Sequence, residues 1–424
     1  MLHLFEKFGI ELEYMIVRED DHSVAPIADR LIADFCGAPL NECEVESCGV
    51  SNELAAHVIE LKTPEPAADF AAMEAGFTAA VGRINKTLSL HSARLLPGPM
   101  HPTLDPATES FTWPHEGQEI YSLYDSIFNC RGHGWFNLQS CHINLPFAGD
   151  REFALLHSAV ILLLPLMPAL TAGSPFLDGR ISGLADTRLD IYQHNQDRCP
   201  SITGLVIPEP AFSQTDYRKT ILEPMYREIA PFDPSGILGH EWLNSRGAIT
   251  RFDRNAIEIR LLDVQECPAA DLALAQFIIA ALRRLAEDRG SSLGKLVLRS
   301  PTREKKRQLQ EVIRNGMDAP LIIPELRDAF DLPGHVTTAG GFWRYLFDSG
   351  HPDALPEDAR AIVDRILRVG NLSTRLIAAH RQRDAPAGFR PITDSLAACL
   401  AENRLFDASP HRLSIPFPVD GVRK

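Results

Sequence analysis

The chain has 424 residues, and its 42 Lys and Arg against 56 Asp and Glu leave a formal net charge of −14. With 45 % hydrophobic and 23 % charged residues it has the make-up of a globular protein, which excludes a disordered chain, a collagen and a coiled coil. An acidic chain is a poor electrostatic match for nucleic acid or an anionic membrane, so neither is expected as a partner, and small molecules are the expected ligands. In chain order, FGIELEYMIV (8–17) alternates apolar residues with carboxylates and predicts a strand. HVIELKTP (57–64) does the same up to Pro64. Residues 64–93 are Ala-rich with apolar spacing of three and four, which predicts a long amphipathic helix opened by prolines. Four prolines make 95–106 a loop. WFNLQSCHINLPF (135–147) predicts a strand, 151–172 a helix, and SPFLDGRISG (174–183) a loop. AITRFDRNAIEIRLLDVQ (248–265) predicts two strands around a turn at 253–255, and 268–288 predicts a helix. Helices over 301–315, 356–383 and 391–403 complete the pattern. Strands mixed irregularly with long helices indicate an α+β fold. No hinge-like linker splits the chain, so residues 1–405 are expected to form a single domain and 406–424 a C-terminal tail.

Eight cysteines are too sparse for a disulfide scaffold, and none falls in a C-x-x-C. Cys36, Cys43 and Cys48 lie close together and are read as reduced, partly buried thiols rather than zinc ligands. The N-terminus carries Glu6, Glu11 and Glu13 where a signal peptide needs an unbroken apolar stretch. The apolar run AVILLLPLMPAL (159–170) is too short to span a bilayer and holds Pro165 and Pro168, which predicts a buried helix. A cytoplasmic location is expected.

The informative feature is acidic residues inside apolar strands. Glu11 and Glu13 are two apart in GIELEY. On a strand, such residues point to one face roughly 7 Å apart; on a helix they would diverge by about 200°. Glu60 sits in VIEL, and Glu258 sits in AIEIRLL with Arg260 two further on. His142 and Asn144 repeat the spacing in CHINLPF. Burying an unpaired carboxylate costs several kcal/mol, and a cluster costs more, so bound cations or arginines must hold these groups. Hard oxygen ligands with one imidazole suit Mg²⁺ or Mn²⁺ rather than Zn²⁺. Mg²⁺ between carboxylates and substrate phosphates is the usual arrangement for ATP chemistry. Each site also has a plainer reading. Glu258 with Arg260 makes a structural pair, Glu11 and Glu13 a solvated face, and His142 a hydrogen-bonded core histidine. Recurrence over four strand segments favours a common site.

In these residues the chain resembles the glutamate–cysteine ligases and related carboxylate–amine ligases, which share a glutamine-synthetase-like fold. GIELEY is similar to the family's opening G-x-E-x-E strand. NELAAHVIELKTP (52–64), with Glu53 and Glu60 seven apart before Thr-Pro, is similar to its next segment. CHINLPF, the S-P-F loop in ALTAGSPFLDGRISG (169–183), and NAIEIRLLDVQ (255–265) follow in the family's order. REKKRQLQEVIRNGMDAPLI (303–322) resembles its helix ending in G-x-D-A. The resemblance implies a curved antiparallel sheet forming an active-site funnel, covered by helices. It implies two or three Mg²⁺ ions (Mn²⁺ as the alternative) between the substrate and ATP, a cosubstrate. Glu11, Glu13, Glu53, Glu60, His142 and Glu258 become the implied metal ligands, and Glu258 and Arg260 the implied catalytic residues. Asn144, Arg246, Arg251 and Arg260 become implied contacts to substrate or ATP. Two positions depart from the pattern: Gly173 and Leu177 stand where the S-P-F loop would carry Asn and an aromatic residue.

The implied function is an ATP-dependent carboxylate–amine ligase of the glutamate–cysteine type, forming an amide through an acyl phosphate, as in glutathione biosynthesis. Two alternatives stand beside it. One is a phosphotransferase of the guanidino-kinase type on the same fold, and the other a non-catalytic homologue that binds an amino acid or nucleotide. A zinc hydrolase is disfavoured, because HExxH is absent. A homo-oligomer is compatible with all of these.

Overall fold

Alternation of apolar and acidic residues makes GIELEYMIVR a strand, β1 (Gly9–Arg18), in the computed structural model, which describes residues 1–349, 355–382 and 388–408. The other strands are β2 (Glu42–Val45), β3 (Cys48–Asn52), β4 (Val58–Lys62), β5 (Ala93–Leu96), β6 (Ser140–Pro146), β7 (Phe176–Leu177), β8 (Arg180–Ile181), β9 (Ala248–Arg251) and β10 (Ala256–Asp263). Eight of them form one antiparallel sheet in the order β2-β3-β4-β1-β6-β10-β9, with β5 also on β1. β4 lies along one edge of β1; on the other edge β6 pairs with its first half and β5 with its second. β7 and β8 make a separate two-residue hairpin inside the expected 174–183 loop.

One face of the sheet is apolar. Ile10, Leu12, Tyr14 and Ile16 of β1 are fully buried. They share one core with Ile59 and Leu61, with Ile143 and Leu145, and with Phe77, Leu156 and Phe277 of three helices, Phe70–Leu88, Gly149–Leu163 and Pro268–Arg289. Residues directly opposite in a ladder share a face. Glu13 lies opposite Glu60, Ser51 opposite Glu60, Glu11 opposite His142, and Asn144 opposite Glu258. The register therefore collects the polar groups on the face turned away from these helices. Between Ile259 and Leu262 the β6–β10 register shifts, a β-bulge at residues 260–261 opposite His142.

Several expected elements differ in extent. The helix expected from residue 64 starts at Phe70, because Thr63 and Ala67 still pair with β1's leading end; their N–H groups reach the carbonyls of Ile10 and Phe8 at 3.0 Å each. Asp69 then caps it, accepting the Ala72 N–H at 3.0 Å. The 135–147 strand begins only at Ser140, preceded by the helical turn His133–Phe136. The 151–172 helix is Gly149–Leu163 followed by two short turns, Leu164–Leu166 and Met167–Thr171, since Pro165 and Pro168 lack the N–H an unbroken helix needs. Its apolar window is 89 % buried, as a core helix should be. Residues 356–383 hold two helices, Glu357–Val369 and Leu372–Arg381; residue 383 lies outside the described residues. They break at Gly370, whose φ is +99°, and Asn371 caps the second. The expected tail starts later than 406, because Phe406 is buried and its N–H reaches Glu266 Oε1 at 3.0 Å; residues 409–424 lie outside the description. All eight cysteines are unpaired: Cys43 and Cys48 are buried and Cys36 is exposed.

Candidate active site

β1 aims Glu11 and Glu13 at the polar face, as the two-residue spacing requires. β6 brings His142 and Ser140 beside them. His142 Nδ1 lies 2.7 Å from Glu11 Oε2 and 3.9 Å from Glu258 Oε1, while Nε2 lies 3.6 Å from Glu13 Oε1. Ser140 donates its N–H to Glu13 at 2.7 Å, and its hydroxyl lies 3.0 Å from the other Glu13 oxygen and 2.8 Å from His142 Nε2. Asn144 donates to Glu11 Oε1 at 3.0 Å. β4 adds Glu60, which accepts the Ser51 hydroxyl at 2.9 Å and has Lys62 Nζ at 3.7 Å. β10 adds Glu258, 2 % exposed, which accepts from Arg260 Nε at 3.0 Å and Arg251 Nη1 at 3.3 Å.

Two sets of ligand atoms result. Glu11, His142 and Glu258 form one, Glu13, Glu60 and His142 the other, and within each set the atoms lie inside 4.8 Å of one another. Burial alone would raise Glu11, but the His142 hydrogen bond and the charges of His142 and Arg260 hold its carboxyl down to about 2. Burial would lower His142, but the hydrogen bond and charge of Glu11, with Glu13 and Glu258, push it up to about 9. Burial and then the charge of Glu11 push Glu60 up to about 8, and burial with Glu13, Glu60 and Glu11 pushes Glu53 well above the usual carboxylate range. The cations at hand therefore leave part of the acid cluster without a counter-charge. Buried atoms also remain without hydrogen-bond partners, among them Gln139 Oε1, Asn144 Oδ1 and Arg251 Nε. Hard oxygen donors in surplus, one imidazole and unpaired polar atoms fit a hydrated divalent ion with a phosphate ligand.

The acids line a cleft of about 390 Å³. Its other walls carry Leu54, Tyr121, Tyr124, Trp135, Tyr192 and Trp242. Tyr124 packs edge-on against Trp135 at 5.3 Å, and the Tyr192 hydroxyl donates to the Ser245 carbonyl at 2.9 Å, so this wall is braced. A second cavity, about 450 Å³, adjoins it across Glu11, Lys62 and Arg254, and Asn144 faces this one.

The structure thus brings Glu11, Glu13, Glu60, His142, Glu258, Arg251 and Arg260 together. Glu53 follows β3 and lines the cleft, but belongs to neither ligand set. Arg246 is not in the cleft wall. It is buried and grips Glu209 through Nε at 2.6 Å and Nη2 at 2.9 Å, so its implied ligand contact is replaced by an internal pair. Sequence reasoning passed over Ser140, Ser51, Lys62 and Arg188. Two of them were within its reach: Ser140 and Lys62 stand two residues from His142 and Glu60, on the same strand faces.

The architecture is that of known ligases. It superposes on the glutamate–cysteine ligase of Francisella tularensis, solved in complex with AMP, with a TM-score of 0.57 at 12 % identity, over 95 % of this chain and 90 % of that one. A bifunctional glutathione synthetase of Pasteurella multocida gives 0.53 at 12 % identity, over 87 % of this chain and 51 % of that one. At such identities the likeness establishes the fold. The chain belongs to the glutamate–cysteine ligase family 2, whose family model matches residues 7–385. An uncharacterized protein of Archaeoglobus fulgidus is 35 % identical over 314 residues, 73 % of this chain and 84 % of that protein. A Jannaschia protein provisionally named glutamate–cysteine ligase 2 is 26 % identical over 297 residues, 67 % of this chain and 68 % of that protein.

Proposed function

We propose that the protein is an ATP-dependent carboxylate–amine ligase, with glutamate as acyl donor and cysteine as amine, acting in the cytoplasm and belonging to glutathione biosynthesis. The chain through Phe406, which is bonded to Glu266 and Arg375, is read as one catalytic unit. The observation that carries the reading is the pair of ligand sets on one sheet face beside Arg251 and Arg260, in a chain of this family.

A carboxylate is a poor acyl donor because oxide is a poor leaving group. Transfer of the ATP γ-phosphoryl group to the substrate carboxylate gives an acyl phosphate; the amine then attacks the acyl carbon, and phosphate leaves. Glu11, His142 and Glu258, and Glu13 with Glu60, would hold Mg²⁺, with Glu53 in reserve on the wall. When bound, Mg²⁺ neutralises charge between the phosphates and the attacking carboxylate. His142 must shed a proton to serve as a ligand, because imidazole offers a lone pair only when neutral. Arg260, steadied by Glu258, meets charge developing on the transferring group, and Arg251 assists. Asn144 contacts substrate or nucleotide from the adjoining cavity. No protein nucleophile is needed.

The test is ADP release with Mg²⁺, ATP and glutamate against a panel of amines. Release that depends on an amine, with an amide product, supports the ligase. Release that depends on a guanidino or other nitrogen acceptor, with a stable phosphorylated nitrogen product and no amide, supports phosphotransfer, and nucleotide binding without release supports a non-catalytic binder.

A further inference from the structure

The S-P-F loop has no part in the chemistry above, yet it is tied to the active site through Arg188, which lines the cleft wall. Ser174 Oγ accepts the Arg188 N–H at 3.0 Å and lies 3.0 Å from Asp263 Oδ2 and 3.2 Å from Asp186 Oδ1. Asp263 also accepts the Gly173 N–H at 2.8 Å. The loop so anchors Arg188, which is 2 % exposed. Arg188 Nη1 reaches Asp263 Oδ1 at 3.2 Å and the Leu261 carbonyl at 3.3 Å, and Nη2 reaches the Arg260 carbonyl at 3.1 Å. These carbonyls belong to the two residues of the β10 bulge. A bulge leaves main-chain groups out of the ladder, and a buried carbonyl needs some partner. From the other side, Gly247 accepts the Arg260 N–H at 3.0 Å, and a Cβ at Gly247 would stand 2.4 Å from Leu261 Cγ. The bulge is clamped between a guanidinium and a glycine.

We infer that Arg188, set by the S-P-F loop through Ser174 and Asp263, is a positioning residue: it fixes the main chain at 260–261 so that the Arg260 guanidinium stands beside Glu258 in the cleft. Its kinetic consequence rests on the ligase reading. Lysine cannot replace it, since one ammonium lacks the planar fork that spans two carbonyls and a carboxylate.

The test is a double-mutant cycle of Arg188→Lys and Arg260→Lys in the full chain, read by ADP release and thermal melting, with Arg375→Lys as a buried control away from the cleft. Arg188→Lys is expected to lower kcat by about a hundredfold, the scale of a small misplacement, with KM for ATP little changed. In the Arg260→Lys background it should cost almost nothing further in kcat. Arg375→Lys should lower the melting temperature without such coupling. Effects of Arg188→Lys and Arg260→Lys that simply multiply overturn the inference, since a merely structural arginine behaves that way. Should Arg188→Lys not fold, Asp263→Asn is put through the same cycle with the same expectation. A crystal structure of whichever variant folds decides independently of turnover: a displaced Arg260 supports the inference, and an unmoved bulge and guanidinium overturn it. A native protein that releases no ADP with any amine overturns the ligase reading alone.

Discussion

Glu258 and Glu266 stand close together in sequence, both are buried, and each meets an arginine. Glu266 pairs with Arg375, and the remaining groups of that pair are consumed: Glu266 accepts the Phe406 N–H at 3.0 Å, and Arg375 donates to the carbonyls of Phe406 at 3.0 Å and Gly370 at 3.2 Å. Glu258 meets Arg260 and Arg251, with His142 at 3.9 Å, and these partners are shared with Glu11 and Asp253. The first arrangement is closed and ties the C-terminal segment to the core. The second has carboxylates in surplus and opens on a cleft. A buried Arg–Glu pair is thus uninformative by itself; the balance of acids to cations around it separates a brace from a site.

Removing one carboxylate from each region tests that contrast. Glu266→Gln strands Arg375 in the interior and is expected to lower the unfolding free energy by about 3–5 kcal/mol in urea melts, with turnover per folded molecule intact. Lost turnover at an unchanged urea midpoint would invert the comparison. Glu258→Gln should do the opposite, cutting ADP release by more than about a hundredfold through lost metal charge, and Glu13→Gln should match it. Near-normal rates in both would remove the site. Arg260→Lys loses the planar fork and should slow ADP release by about a hundredfold, no less than Arg188→Lys; a full rate would demote it to a structural partner.

The smallest effect concerns a buried histidine remote from the cleft. His157 stacks on Phe153 at 5.2 Å and lies 3.1 Å from the Glu209 carbonyl; burial lowers its pKa to about 4. Its folded value lies below its ordinary one near 6.5, so the unfolded chain binds the extra proton first. Its stabilising contribution is full above about pH 6.5 and is lost as the pH falls towards 4, at up to about 1.4 kcal/mol per pH unit. Urea melts from pH 7 to pH 4 should show a shallower loss in His157→Gln, and identical slopes would assign the acid sensitivity elsewhere.

The sequence made β1, β4, β6 and β10 legible because each sets polar groups between apolar neighbours, and it made their acids legible because strand faces repeat every second residue. β2 and β3 escaped it: CGVSN has little of the branched, alternating character that marks a strand, and the pair is held by its neighbours instead. Arg246 misled because spacing cannot report that Glu209, distant in sequence, waits beside it. The bulge was equally hidden. Counting by twos from Arg260 puts Leu262 on the cleft side; the register shift pairs Leu262 with Cys141 and gives that side to Asp263, opposite Ser140. Arg188 lies in a short helix, Thr187–Tyr192, without periodicity to flag it.

The central strand, β1, is also the one synthesised first. Its neighbours come from residues 58–62, 93–96 and 140–146, and the sheet is finished only when 248–263 has left the ribosome. Until then a greasy underside and bare strand edges face water, the condition under which nascent chains stick to one another. A fragment ending before residue 263 would inherit that condition permanently, so shortening the gene from its 3′ end past that point should yield inclusion bodies rather than a smaller enzyme.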